Sequence, residues 1–148
     1  MIFDDAYFMR EAIKEAEKAV EAGEVPVGAV MVYNDKIVAR AHNQTELLND
    51  VTAHAEILCI TSVSASTGNK FLEDYSMYVT LEPCAMCAGA ISWSRIGKLV
   101  FGASDQKAGF SNYSSDILHP KTALVSGVEA VRCSAILTEF FKERRRKI

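Results

Sequence analysis

The 148-residue chain has no apolar run long enough to cross a bilayer, no internal repeat, no low-complexity segment and no linker. The first absence excludes a helical membrane span, which needs about 20 consecutive apolar residues. The others predict one domain over residues 1–148, a length that buries a substantial core. The opening Met1-Ile-Phe-Asp-Asp is acidic, which predicts no secretory leader. Cysteine is scarce, with four in all. Two of them, Cys59 and Cys133, fall in apolar helical patterns, and buried free thiols predict a reducing, cytoplasmic compartment rather than a disulfide framework.

Positive charge is also in deficit. The net charge is −3, from 16 Lys and Arg against 19 Asp and Glu. Its distribution qualifies what that excludes. Lys142 to Ile148 hold five of those cations and one Glu, a basic tail of +4 on a body of −7. Such a tail suits phosphate binding, or simply solvates a helix end whose cations match the macrodipole.

What is present is an ordinary globular composition, 49% apolar and 24% charged. Met9, Ile13, Ala16 and Val20 recur at helical spacing and predict an amphipathic helix over 4–22, stopped at Gly23. Val27 to Tyr33 and Lys36 to Ala41 read as a hairpin about Asn34-Asp35. A polar loop over 44–51 leads to a helix over 53–66. Met77, Val79 and Leu81 alternate as a strand, Pro83 suits the first turn of a helix, and Lys98 to Ala103 returns as a parallel strand. Residues 104–120 show no clear period. A fifth strand is predicted over 122–125 and a last helix over 129–146, with Val131, Ala135 and Phe140 inward. The result is an α/β fold with one mixed sheet of about five strands.

The chemistry lies in two segments. Cys84 and Cys87 are three apart, so a helix starting there puts both thiols on one face. A helix N-terminus lowers a thiol's pKa, and two thiolates make half of a zinc site. The other half is His54, thirty residues upstream in Thr52-Ala-His-Ala-Glu. Three protein ligands leave a fourth position for water, the mark of a catalytic zinc site. Glu56 stays free to move protons. His-x-Glu followed by Pro-Cys-x-x-Cys is the signature of zinc-dependent nucleobase deaminases. Separately, the halves have blander readings: His54 as a structural histidine, the cysteines as a redox pair or a zinc knuckle. A closed knuckle needs a fourth ligand from Cys59, Cys133, His42 or His119, and none of these has motif spacing. Asn43 reads either as a strand-end turn residue or as an amide for a base edge. Trp93 reads as helix-to-sheet packing, and Phe110 and Tyr113 as base-stacking residues or plugs of the domain edge.

The chain resembles the bacterial tRNA-specific adenosine deaminases, which convert a wobble adenosine to inosine. The resemblance spans nearly the whole length. It rests on Glu24-Val-Pro-Val-Gly-Ala-Val, Thr52-Ala-His-Ala-Glu-Ile, Thr80-Leu-Glu-Pro-Cys-Ala-Met-Cys-Ala-Gly-Ala-Ile, Ser94-Arg-Ile-Gly-Lys-Leu-Val-Phe-Gly-Ala and Phe140-Phe-Lys-Glu-Arg-Arg. It implies a three-layer α/β/α cytidine-deaminase-like fold, Zn2+ as cofactor, and a homodimer whose substrate groove draws on both subunits. It also implies tRNA, through its anticodon loop, as partner, with Asn43 reading the flipped base, Val27 lining the pocket and Ala55 offering its backbone N–H. Lys107, Arg144 and Arg145 are the expected RNA-binding cations. The expected reaction is hydrolysis by zinc-activated water with Glu56 as proton shuttle. The Ala108-Gly-Phe of the loop, and Trp93, are instead similar to guanine deaminases. A guanine or cytosine deaminase is therefore the alternative enzyme, and a structural zinc module that binds nucleic acid the alternative outside catalysis.

Overall fold

The structure, a computed structural model, describes residues 3–147. Its strands are β1 (Gly28–Tyr33), β2 (Lys36–His42), β3 (Ser76–Leu81), β4 (Lys98–Ala103) and β5 (Ala123–Ser126). Its helices are α1 (Asp5–Glu21), α2 (Ala55–Thr67), α3 (Ala85–Trp93) and α4 (Ala130–Arg146). A single 3-10 turn, Phe110–Asn112, lies in the stretch without sequence period.

The sheet order is β2-β1-β3-β4-β5. The first two pairings in that order are antiparallel, and β3 pairs β4, and β4 pairs β5, in parallel. Alternation along the strands supplies two apolar faces. Val30, Tyr78 and Val100 meet Phe8, Met9 and Ile13 of α1 and Cys133 of α4. Met31, Met77, Val79 and Leu99 meet Cys59 and Val63 of α2 and Ala88 and Ile91 of α3. Central strands with apolar residues on both faces must be covered on both, and the outcome is the expected three-layer α/β/α arrangement.

Three local expectations fail. In α4 the inward positions are Cys133 and Ile136, while Val131 is 84% exposed and Ala135 is exposed. Apolar residues at 131, 133, 136, 137 and 140 support two overlapping stripes. The close approach of Cys133 to Gly102 selects between them: a Cβ on Gly102 would lie 2.4 Å from the Cys133 sulfur. Trp93 is 84% exposed instead of packed on the sheet, because Ile91 takes the inward position and a residue two further on points away. Pro83 lies outside its helix, since α3 starts at Ala85 with Cys84 as N-cap.

Among the described residues no helix is long and apolar enough to cross a membrane.

Candidate active site

Both halves of the metal motif sit at helix starts at one end of the sheet. His54 is the N-cap residue of α2 and Cys84 that of α3, and Cys87 follows in the first turn of α3. Strand β3 delivers the chain to Cys84. The end of β2 delivers it, through the 43–53 loop, to His54. His54 Nδ1 lies 3.7 Å from Cys84 Sγ and 3.5 Å from Cys87 Sγ, and the three ligand atoms fall within 4.8 Å of one another. Two corners of a tetrahedron with Zn–N near 2.0–2.1 Å and Zn–S near 2.3 Å are ~3.6 Å apart, so the donors have the spacing and chemistry of a metal site. Hydrogen bonds from Cys87 and His54 hold the Cys84 thiol down at about 4. Its bond to Cys84, with burial, pushes Cys87 up, and the Cys84 partner raises His54.

Glu56 lies one residue into α2, 4% exposed, with its carboxyl beside Cys87 and outside the ligand trio. Enclosure pushes that carboxyl up to about 7, against the lowering pull of a backbone hydrogen bond and of the His54 charge. A carboxyl poised near neutrality both accepts and returns a proton under physiological conditions.

Asn43 closes the other wall. It is 8% exposed, its N–H donates to Val27 O at 3.1 Å, and its Oδ1 accepts the Ala55 N–H at 2.8 Å. Val27, Asn43 and Ala55 are thereby brought together beside the trio. The Ala55 N–H is engaged by Asn43, and the Asn43 amide NH2 is the donor that remains. Lys107 lies exposed in the loop after β4, whose Gly109 forms an isolated bridge with Cys84. Phe110 is buried at 2% and packs edge-on against Phe101, so it plugs the domain edge. Tyr113 is 66% exposed.

Arg144 and Arg145 lie in the last turn of α4. Arg144 and Lys147 line one groove with Val20 and Gly23, at the end of α1 that leads into Gly28. Gly28 pairs with His42, the residue before Asn43, so the basic turn and the metal trio share one end of the sheet.

Residues 3–103 match the family model of the cytidine and deoxycytidylate deaminase zinc-binding region. The tRNA-specific adenosine deaminase of Bacillus subtilis (strain 168) is 48% identical over 148 residues, spanning 97% of this chain and 92% of its own. The chain belongs to this deaminase family. A solved tRNA:A34 deaminase, of the kind that performs A-to-I editing at the wobble position, superposes with a TM-score of 0.83 at 43% identity, covering 88% of this chain and 99% of that one. The guanine deaminase of Bacillus subtilis gives 0.63 at 37% identity, over 66% of this chain and 62% of its own.

Two buried carboxylates of this deaminase lie in segments that carry the resemblance, yet no role follows for them from the sequence. Glu24, 1% exposed, accepts the N–H groups of Glu46 and Leu47 at 3.0 and 2.8 Å and so holds the loop between Asn43 and His54. Glu82, 3% exposed, holds the loop after β4. The signal that could have found them is their place in those segments, each a Glu beside a proline-containing apolar run, as in Leu81-Glu82-Pro83.

Proposed function

We propose that the protein is a single-domain, zinc-dependent hydrolase that deaminates the wobble adenosine of tRNA to inosine in the cytoplasm. The observation that carries this reading is the ligand trio with the enclosed Glu56 beside it, in a chain nearly half identical to a tRNA-specific adenosine deaminase. His54, Cys84 and Cys87 would hold zinc, which when bound supplies Lewis-acid activation of water at neutral pH. Glu56 accepts a proton from the attacking water and delivers it to the ring nitrogen beside the amine-bearing carbon. The water oxygen adds to that carbon, Glu56 takes the remaining proton from the added hydroxyl and passes it to the amino group, and the C–N bond breaks to release ammonia and leave a carbonyl.

Asn43 reads the base with its remaining donor, the side-chain NH2, while Val27 walls the pocket. The Ala55 N–H acts through Asn43 by fixing its orientation. A base reaches such a pocket only after leaving its stack, which costs least in a single-stranded loop such as an anticodon. Lys107, Arg144 and Arg145 supply cations for the flanking phosphates.

The working form is a homodimer. Helix α2 carries one charged residue, Glu56, and α3 carries none, yet Met86 and Trp93 lie exposed on α3. An uncharged α3 with exposed Met86 and Trp93 gains from a cover, and a second copy supplies one.

The test is incubation with total tRNA followed by sequencing for adenosine-to-inosine change at wobble positions. Unchanged tRNA, with release of ammonia from guanine or cytosine, would move the reading to a free-base deaminase. The partial superposition on a guanine deaminase makes that the second reading.

A further inference from the structure

Glu82 ends the segment that delivers Cys84, and it lies outside the ligand trio. It is buried, and among the described residues no Lys, Arg or His pairs with it. Burying an anion without a cation is costly, and it persists only where hydrogen bonds satisfy the oxygens. Here all three side-chain bonds come from one loop. Oε1 accepts the Asp105 N–H at 3.0 Å; Oε2 accepts the Ser111 N–H at 3.0 Å and the Ser111 hydroxyl at 2.6 Å. The loop backbone lies directly on the carboxylate, because a Cβ on Gly109 would come 2.4 Å from Glu82 Cδ.

The same loop is stitched to the metal-binding turn. Phe110 N–H donates to Pro83 O at 2.8 Å, and Gly109 bridges Cys84. Within the loop, Asp105 Oδ1 accepts the N–H groups of Lys107 and Ala108, and the Asn112 amide donates to Asp105 O and Gly109 O. Among the residues this loop exposes to solvent are a cation, Lys107, and an aromatic ring, Tyr113. These are the two side-chain types that hold a polynucleotide strand, through phosphate and through base stacking.

We propose that Glu82 is a positioning residue for the RNA strand: its carboxylate fixes loop 105–113 as a rigid lip that grips the nucleotides flanking the base at the metal site. The proposal rests on the tRNA reading above. A preformed lip avoids ordering a loop on binding, so its loss appears in substrate affinity rather than in the chemical step.

Glu82→Gln tests this. A carboxamide offers one acceptor oxygen and one NH2, so one loop N–H must face a donor. With an anticodon stem–loop RNA and zinc-loaded protein, KM rises about 10-fold or more, the scale set by losing a buried hydrogen bond to a charged acceptor. The kcat stays within about twofold and zinc remains at one per chain, because the trio and Glu56 are untouched. Ser111→Ala removes only the hydroxyl bond, and gives a smaller KM rise at unchanged kcat. It decides the matter alone if Glu82→Gln does not fold. A merely structural Glu82 would lower zinc content or kcat with KM unmoved, and that pattern, or unchanged kinetics in both variants, overturns the proposal. Failure of the unaltered protein to deaminate the stem–loop overturns the tRNA reading instead, and this inference with it.

Discussion

Asn43 Oδ1 accepts the backbone N–H of Ala55 at 2.8 Å, so the residue ahead of the 44–53 loop holds the first residue of α2 in place. The bond fixes which way the amide faces, with oxygen toward the helix start and NH2 left free. It also separates two roles that one substitution would confound. Asn43→Ala leaves the fully buried Ala55 N–H without a partner, at a cost of about 1–3 kcal/mol, and removes the proposed base reader as well. Asn43→Asp keeps the acceptor at the start of α2, where an anion is favoured, and replaces the donor with a second, anionic oxygen. Its melting temperature is expected to stay near that of the unaltered protein, while kcat/KM on tRNA falls by about 10²-fold, the scale of losing one preorganised donor. An Asp variant that deaminates normally would remove Asn43 from base recognition.

Glu56 and His54 are two residues apart at the start of α2 and divide the labour. Glu56→Gln should retain zinc, since the carboxyl lies outside the trio, and lose turnover. His54→Ala should lose metal and activity together. Metal analysis alongside single-turnover rates checks both. A metal-free Gln variant would mean that Glu56 is a ligand.

The legible parts of this protein are those whose signal is local. Strand β1 announces itself by a nearly continuous apolar run, β3 by alternation, and the trio by spacing within two short segments, because helix and strand periods fix which residues share a face. The inward stripe of α4 is not legible in the same way, because it depends on Gly102, in another element. The loop-holding roles of Glu24 and Glu82 are not legible in the sequence for a related reason. Their partners are backbone N–H groups 22 to 29 residues away, and every residue but proline has one, so no residue type marks the bond.

Tyr78 donates to Asp5 Oδ1 at 2.7 Å and Lys98 Nζ reaches the same oxygen at 2.9 Å, tying α1 to β3 and β4. Burial alone would raise the Asp5 carboxyl, but the Tyr78 and Lys98 bonds outweigh it and hold the group below its ordinary 3.8. A depressed folded-state pKa contributes stability that is present above the unfolded value and lost as pH falls through the folded one. Tyr78→Phe should therefore lower the melting temperature at pH 6 to 7. The difference from the unaltered protein should shrink below about pH 4, where Asp5 takes up its proton. Thermal melts of both proteins across that range check the sign. A difference that does not vary with pH would assign the loss to packing of the Tyr78 ring instead.

The basic end of α4 separates a tRNA enzyme from a free-base enzyme. Deleting Arg144 to Ile148 removes four of the 16 Lys and Arg; Ile148 itself lies outside the described residues. Two of the four cations have partners within the helix: Arg144 lies 5.1 Å from the Phe140 ring, and Arg146 pairs with Glu143 at 2.6 Å. Arg145 and Lys147 are exposed and form no ion pair among the described residues. The trio and Glu56 are built from segments that end in α3, so the chemical step should survive the deletion. Binding should not. Removing one cation from a phosphate flattens the log–log dependence of affinity on salt by roughly 0.7 to 0.9. With Arg144 and Arg145, the two cations assigned to phosphates, removed, the slope should fall by about 1.4 to 1.8, and affinity for tRNA at low salt should fall with it. An unchanged slope in the truncated protein would falsify an RNA role for this helix end and leave its cations as partners of the helix macrodipole alone.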